Sequence, residues 1–209
     1  MPQNAAYLIH NGVFIKNDQF RVSHKNRAFR YGDSLFESML VVNGNVPLLP
    51  LHYKRLVAGM KVFNYDIPAE FNTNNIRQSI ELLLRKNKLF KTARLRLQAY
   101  RVEGGLYTPE SNEFEYIIEA NQCPENQLKI NETGLKIKSY TSLKKPINPL
   151  SPFKTGNAAL YVLAAGYKSH FEADDLMLFN TKDRPIETTA CNFFVVKKNQ
   201  LFTPPLSEG

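Results

Sequence analysis

The sequence predicts an α+β protein, because stretches with the alternation of a strand are mixed with stretches of helical periodicity. Residues Thr92–Arg101 alternate apolar and polar side chains, as a half-buried strand does. Residues 72–89 instead place apolar side chains at three- and four-residue steps, as an amphipathic helix does, and Asn72 or Thr73 is suited to cap that helix. An α/β arrangement is the alternative that these patterns leave open.

The other predicted elements alternate along the chain in the same mixed way. They are a hairpin around Asn11-Gly12, strands in 35–42, 114–120, 176–179 and 193–196, an extended stretch in 135–140, and helices in 51–63 and 157–171. The polar segment 121–133 contains Pro124 and is the predicted connection. It would join a small domain in residues 1–120 to a second domain in 134–209.

Composition excludes several classes of function. The net charge is +8, but the basic residues are dispersed and form no dense arm or zinc-finger spacing, so no nucleic-acid partner is expected and such binding stays a weak alternative. No run of eighteen apolar residues occurs, so no membrane partner is expected. The four histidines form no ligand-spaced cluster, so no metal is expected. Two widely separated cysteines are typical of a reducing, cytoplasmic location.

Three side chains have the chemistry of a cofactor site, and each also has an ordinary surface interpretation. Lys154 lies between a proline-rich loop and a predicted helix, so a desolvated amine there could act as a nucleophile that forms a Schiff base. Arg55 could hold a phosphate with two parallel hydrogen bonds. Glu187, between a predicted turn and a strand, could face a ring nitrogen. Taken singly, each is more often a solvated surface charge.

The order of five sequence features changes this balance. The first is Tyr-Gly-Asp-x-x-Phe-Glu in residues 31–37, and the second is His-x-x-Arg-Leu in 52–56. Lys154, a glutamate that opens the Glu-x-x-x-x-Asn stretch 187–192, and Thr-Pro-Pro-Leu in 203–206 follow. This order and spacing resembles the class IV aminotransferases, the fold-type IV pyridoxal-phosphate enzymes. That family includes branched-chain aminotransferases, D-amino-acid aminotransferases and aminodeoxychorismate lyases.

The resemblance implies a fold, a cofactor and its ligands. The fold would be the two-domain, D-amino-acid-aminotransferase-like α+β fold, with the second domain binding pyridoxal 5'-phosphate. Lys154 would carry the cofactor, Arg55 would bind its phosphate, and Glu187 would pair with the pyridine nitrogen. Thr188 and Thr189 would add further cofactor contacts. The resemblance also implies a homodimer.

The resemblance further implies a substrate pocket shaped by Tyr31 and Tyr107. D-amino-acid aminotransferases carry an arginine and a histidine in the loop where this chain has Gly105 and Tyr107, so specificity for D-amino acids is not expected. The chain ends at Gly209, before a further phosphate-binding loop of the family, so the second domain is expected to be incomplete.

The expected activity is transfer of an amino group between an amino acid and a 2-oxo acid. The alternative is a 4-amino-4-deoxychorismate lyase that releases pyruvate and 4-aminobenzoate for folate synthesis. Both activities use the same cofactor residues, so the motifs do not rank them. A non-catalytic remnant that binds a partner is the alternative outside the enzyme classes, and it is motivated by the early end of the chain.

Overall fold

The computed structural model describes residues 5–123 and 129–209, which form two compact units. The first unit holds residues 5–123 together with Phe153–Asn157. The second unit holds Lys129–Pro152 and Ala158–Gly209. The short segment that contains Lys154 therefore belongs to the first unit, although it is flanked on both sides by chain of the second.

An antiparallel five-stranded sheet forms the centre of the first unit, in the order β2-β1-β5-β4-β3. The strands are β1 (Tyr7–His10), β2 (Val13–Lys16), β3 (Ser34–Val42), β4 (Thr92–Arg101) and β5 (Phe114–Gln122). Strand β4 has the bounds that its alternating pattern predicted. Its Leu95 and Leu97 are fully buried on one face, and burial of each such side chain contributes about 1.5–3 kcal/mol.

Three helices belong to the same unit: α1 (Arg27–Tyr31), α2 (Leu49–Val62) and α3 (Thr73–Lys86). The side chain of Asn72 accepts a hydrogen bond from the backbone of Asn75 and caps α3, as predicted. The apolar stripe of α3 and the core face of the sheet lie in one buried cluster. Helix α1 was not predicted, since five residues are too few to show helical periodicity.

The second unit contains a smaller, mixed sheet in the order β6-β7-β8, with β6 (Ile137–Lys145), β7 (Asp175–Asn180) and β8 (Pro185–Thr188). Strands β6 and β7 are parallel, and β7 and β8 are antiparallel. Helix α4 (Ala159–Gly166) packs on this sheet, and β9 (Val195–Lys197) pairs with β10 (Gln200–Phe202).

Several boundaries differ from the predicted ones. The helix expected over 157–171 is α4 followed by a separate 3-10 turn at Lys168–Phe171. Glu187 lies within strand β8, not between a turn and a strand. Of the predicted connection 121–133, the first two residues continue β5, and Pro124 lies outside the described residues. Within the described ranges, no helix is long and apolar enough to cross a membrane.

Candidate active site

Lys154 is fixed through its backbone to the first residues of β3. The N–H of Phe36 donates to the carbonyl of Lys154 at 2.8 Å, and the N–H of Gly156 donates to the carbonyl of Ser34, also at 2.8 Å. The segment therefore lies beside the sheet edge like a short extra strand. The two hydrogen bonds flank Thr155, and the first of them is accepted by Lys154 itself, so the backbone from which the Lys154 side chain extends has a defined position.

The residues around Lys154 explain how this approach is possible. A Cβ atom on Gly156 would lie 2.2 Å from Oγ of Ser34 and 3.3 Å from the carbonyl oxygen of Gly32, so a larger residue would have to displace either the Ser34 side chain or the segment itself. On the other side, Phe153 packs against the core of the first unit. A Cβ on Gly59 of α2 would lie 3.2 Å from the ring of Phe153. Phe153 therefore anchors the segment and Gly156 permits its close contact.

The amine of Lys154 lies near an aromatic ring that a second cation, Arg96, also contacts. Its Nζ is 5.8 Å from the centroid of the Phe36 ring, and the guanidinium carbon of Arg96 is 3.8 Å from the same centroid. Gln98 accepts two hydrogen bonds from Arg96. Burial lowers the pKa of Arg96, partly offset by the charge of Glu119. Sequence reasoning missed Arg96, although the alternation of β4 places it on the face opposite the core.

Arg55 forms a bidentate pair with a buried glutamate of β3. Its Nε donates to Oε1 of Glu37 at 2.6 Å and its Nη2 donates to Oε2 at 2.5 Å. Nδ1 of His52 lies 2.8 Å from the same Oε2. Burial raises the pKa of Glu37, but the hydrogen bonds from Arg55 and His52 outweigh it and hold that pKa below its ordinary value. The hydrogen bond to Glu37 raises the pKa of Arg55.

This arrangement orients the guanidinium of Arg55 without enclosing it. Glu37 occupies the Nε–Nη2 edge, so Nη1 is the nitrogen available to a phosphate oxygen. The side chain of Arg55 is 40% exposed, whereas that of Glu37 is 1% exposed. Glu37 and His52 lie in the first two motifs of the sequence analysis, but the contacts of Glu37 with Arg55 and with His52 were not predicted.

The two tyrosines expected in the substrate pocket contact each other. The ring centroids of Tyr31, at the end of α1, and Tyr107, in the loop after β4, are 5.5 Å apart. Tyr31 is half-buried, and Tyr107 is 88% exposed. The first unit thus contains four of the expected site residues, namely Tyr31, Arg55, Tyr107 and Lys154.

Glu187 of the second unit is held by two donors from different elements. Nζ of Lys145 lies 2.8 Å from Oε1 of Glu187, and the hydroxyl of Tyr161 donates to the same oxygen at 2.7 Å. Burial raises the pKa of Tyr161, and the hydrogen bond to the carboxylate and its charge raise it further. Among the described contacts both bonds use Oε1, so Oε2 is the oxygen available to a further donor. Neither Lys145 nor Tyr161 was predicted, because their contact depends on tertiary packing.

The hydroxyls of Thr188 and Thr189 make contacts within the second unit. Thr188 donates to the carbonyl of Cys191 at 3.2 Å, and Thr189 donates to the carboxylate of Asp175. Burial raises the pKa of Asp175, but hydrogen bonds from both threonines, the Leu176 amide and a lysine outweigh it and lower the pKa to about 2. The part of these threonines in cofactor binding stays a prediction.

The chemistry of these three groups fits pyridoxal phosphate. They are an amine with a fixed backbone, a guanidinium with one open edge, and a carboxylate with one open oxygen. Lys154 and Arg55 are both linked to β3, the first through the backbone of Phe36 and the second through the side chain of Glu37. Glu187 lies on β8 of the other unit.

A family model described as amino-transferase class IV matches residues 34–209, so the chain belongs to the class IV aminotransferase family. The family membership and the enzyme class that the motifs predicted are confirmed. The expected fold-type IV architecture is confirmed by a solved relative. This is the branched-chain amino acid aminotransferase of Thermobaculum terrenum in its pyridoxal-phosphate form, with a TM-score of 0.84 at 20% identity. The match covers 99% of this chain and 69% of that one.

Two curated relatives represent different activities of the family. A putative branched-chain-amino-acid aminotransferase of Methanocaldococcus jannaschii is 28% identical over 200 residues, which is 95% of this chain and 68% of the relative. An aminodeoxychorismate lyase of Vibrio harveyi is 26% identical over 191 residues, which is 90% of this chain and 68% of the relative. Both activities named in the sequence analysis therefore occur among the relatives.

Proposed function

We propose that this chain is a pyridoxal-phosphate-dependent aminotransferase that moves an amino group between an amino acid and a 2-oxo acid. The observation that carries the proposal is the position of Lys154, whose carbonyl accepts a hydrogen bond from β3 at the start of a short pairing with that strand. A lysine on a solvated loop would not need this constraint. When bound, the cofactor supplies an electron sink that stabilises negative charge at the substrate Cα.

The residues of the chain would divide the remaining work. Nη1 of Arg55 would bind a phosphate oxygen while Glu37 fixes the guanidinium plane. Oε2 of Glu187 would accept a hydrogen bond from the ring nitrogen, while Lys145 and Tyr161 hold the carboxylate through Oε1. Nζ of Lys154 would hold the cofactor until the substrate amine replaces it there. The freed amine would then take the proton from the substrate Cα and deliver it to the cofactor carbon.

The substrate side is supported by the relatives and by the loop residues. The M. jannaschii and T. terrenum proteins are named as branched-chain aminotransferases, which favours an apolar amino acid as the donor here. Tyr31 and Tyr107 would form an aromatic wall suited to such a side chain. Release of pyruvate from aminodeoxychorismate is the second candidate, favoured by the similarity to the V. harveyi lyase.

The proposal includes a homodimer in a reducing, cytoplasmic compartment. Phe29 of α1 exposes a large apolar side chain, which a second copy would cover. Cys123 and Cys191 are both free thiols. Sedimentation of the purified chain tests the assembly: a dimer is expected, and a monomer at micromolar concentration would contradict it.

The direct test is borohydride reduction of the protein with pyridoxal phosphate, followed by peptide mapping. A stable label on Lys154 is expected, and it should disappear in Lys154→Ala but persist in Lys138→Ala, which removes an exposed lysine of β6. Unreduced protein with pyridoxal phosphate is assayed in parallel for transamination of branched-chain amino acids with 2-oxoglutarate and for pyruvate release from aminodeoxychorismate. Label scattered over surface lysines would contradict the proposal and favour a non-catalytic chain.

A further inference from the structure

A single buried arginine of α1 holds the loop that follows β4. Arg27 is 3% exposed, and its Nε donates to Oδ2 of Asp33 at 2.9 Å. Its Nη1 donates to the carbonyls of Gly104 at 2.8 Å and Leu106 at 2.6 Å, and its Nη2 donates to the carbonyl of Tyr107 at 3.2 Å. One guanidinium therefore donates hydrogen bonds to one carboxylate and to three backbone carbonyls within residues 104–107.

The same guanidinium contacts the tyrosine pair. Its central carbon lies 5.1 Å from the centroid of the Tyr31 ring, and the Tyr31 and Tyr107 rings are 5.5 Å apart. Arg27 thus contacts the ring of one tyrosine and the backbone of the other. A change at Arg27 would move both sides of the aromatic pair together.

The loop has little local tendency to adopt this shape. Gly104 and Gly105 both have positive φ angles, +125° and +71°, and a Cβ on Gly105 would lie 2.1 Å from the carbonyl oxygen of Thr108. Two consecutive glycines have many conformations open to them, so contacts outside the loop must select this one. The hydrogen bonds from Arg27 are suited to do so, since they reach three of the four carbonyls of residues 104–107.

We propose that Arg27 is a specificity-determining positioning residue, which sets the geometry of the substrate pocket by fixing Tyr31 and the 104–107 loop. This inference rests on the proposed function, in which Tyr31 and Tyr107 line the pocket. It does not place Arg27 in contact with substrate or cofactor. Lysine is not equivalent here, because one ammonium cannot present the planar fork that serves Asp33 and three carbonyls at once.

The chain contains no tryptophan, so one introduced residue can report on the loop by fluorescence. Leu106→Trp places the reporter in the loop at an exposed position and keeps Tyr107. Leu82→Trp, at an exposed position of α3, is the matched reporter for a rigid site. The anisotropy of L106W should equal that of L82W. This first test needs no substitution of Arg27. A freely rotating indole in L106W would overturn the proposal, because the loop would then be mobile although Arg27 is present.

The decisive comparison is Arg27→Lys against Arg101→Lys, each made in the L106W background. Arg101 also donates its Nε to Oδ2 of Asp33 at 2.9 Å, but its other hydrogen bonds go to Asn112 and to the carbonyl of Phe63. R27K should lower the loop anisotropy, whereas R101K should destabilise the fold and leave the anisotropy unchanged. Equal changes in both variants would assign the effect to the buried ion pairs in general and overturn the proposal.

Kinetics give the second readout. In R27K we expect KM for the amino acid to rise roughly tenfold to a hundredfold with a smaller fall in kcat, as for a misplaced substrate-binding element. The preference between branched and linear side chains should also weaken, and R101K should keep the parent preference. Borohydride labelling of Lys154 should persist in both variants. Absence of a label on Lys154 in the parent protein would refute the proposed function. An unchanged KM and an unchanged substrate preference in R27K would refute only the role of Arg27.

Discussion

The carboxylate of Glu37 receives both Nε and Nη2 of Arg55, at 2.6 and 2.5 Å, and is 1% exposed. The side chain of Arg55, which is proposed to bind phosphate, is 40% exposed. A buried charge thus orients a half-exposed one, and His52 adds a contact on the buried side. Removing the charge of Glu37 should consequently lower the stability of the fold and also release the guanidinium of Arg55 from its fixed orientation.

Glu37→Gln should reduce the stability of the fold in a pH-dependent manner. The pKa of Glu37 in the fold lies below its ordinary value near 4.5, so its stabilisation is fully present above pH 4.5 and is lost as the pH falls through the lower, folded value. At pH 7 we expect a loss of about 1–3 kcal/mol in the free energy of unfolding, typical of charged hydrogen bonds. Urea unfolding at several pH values measures it.

The difference in the free energy of unfolding between the parent and Glu37→Gln should become smaller as the pH is lowered from 5 toward 3. Glu81→Gln, on the exposed side of α3, is the control and should change stability by less than about 0.5 kcal/mol. A gap that stays constant across this range would show that the loss comes from packing and not from the ionised carboxylate.

Arg55→Gln should weaken binding of pyridoxal phosphate and leave binding of pyridoxal, which lacks the phosphate, nearly unchanged. A charged hydrogen bond to phosphate contributes about 1.5–3 kcal/mol, which corresponds to roughly a tenfold to hundredfold rise in Kd. Absorbance titration with both compounds measures the difference. Lys54→Gln removes the adjacent, exposed charge of α2 and should leave both affinities as in the parent. Equal losses for the two compounds would argue against a phosphate contact.

The elements with strong periodicity could be predicted from the sequence. The expected stripe of α3, formed by Ile76, Ile80, Leu83 and Leu84, is buried, because spacing along a single helix decides which side chains share a face. The bounds of β4 follow for the same reason, from a period of two. The motifs predicted site chemistry at Lys154 and Arg55, but they did not predict the contacts that these two residues make in the fold.

Those contacts are tertiary, and no periodic pattern encodes them. Glu37 interrupts the apolar positions of β3 and contacts Arg55 across the gap between a strand and a helix. Lys145 and Tyr161 reach Glu187 from two further elements, at separations of 42 and 26 residues. Arg27 lies on a helix of five residues. In each case a polar side chain acquires its role from the partner that folding brings to it.

Gly156→Ala should destabilise the fold and disturb Lys154. The new methyl group would lie 2.2 Å from Oγ of Ser34, so the buried Ser34 side chain or the segment must shift, at a cost of about 1–3 kcal/mol. Thermal unfolding and borohydride labelling of Lys154 measure the two effects. Gly166→Ala has open space around its Cβ at the end of α4 and is expected to be neutral or to stabilise by about 0.4–1 kcal/mol. Full stability and full labelling in G156A would contradict the close pairing.

Glu187→Gln should slow transamination and leave the cofactor attached. A neutral amide cannot provide the charged acceptor proposed for the ring nitrogen. Loss of one charged hydrogen bond, about 1.5–3 kcal/mol, corresponds to roughly a tenfold to hundredfold fall in kcat. Steady-state rates and labelling of Lys154 are measured together with thermal stability, because the variant also removes the anionic partner of Lys145. Glu132→Gln, an exposed glutamate of the same unit, should match the parent. A parental kcat in a folded, labelled E187Q protein would show that Glu187 serves only to pair Lys145 and Tyr161.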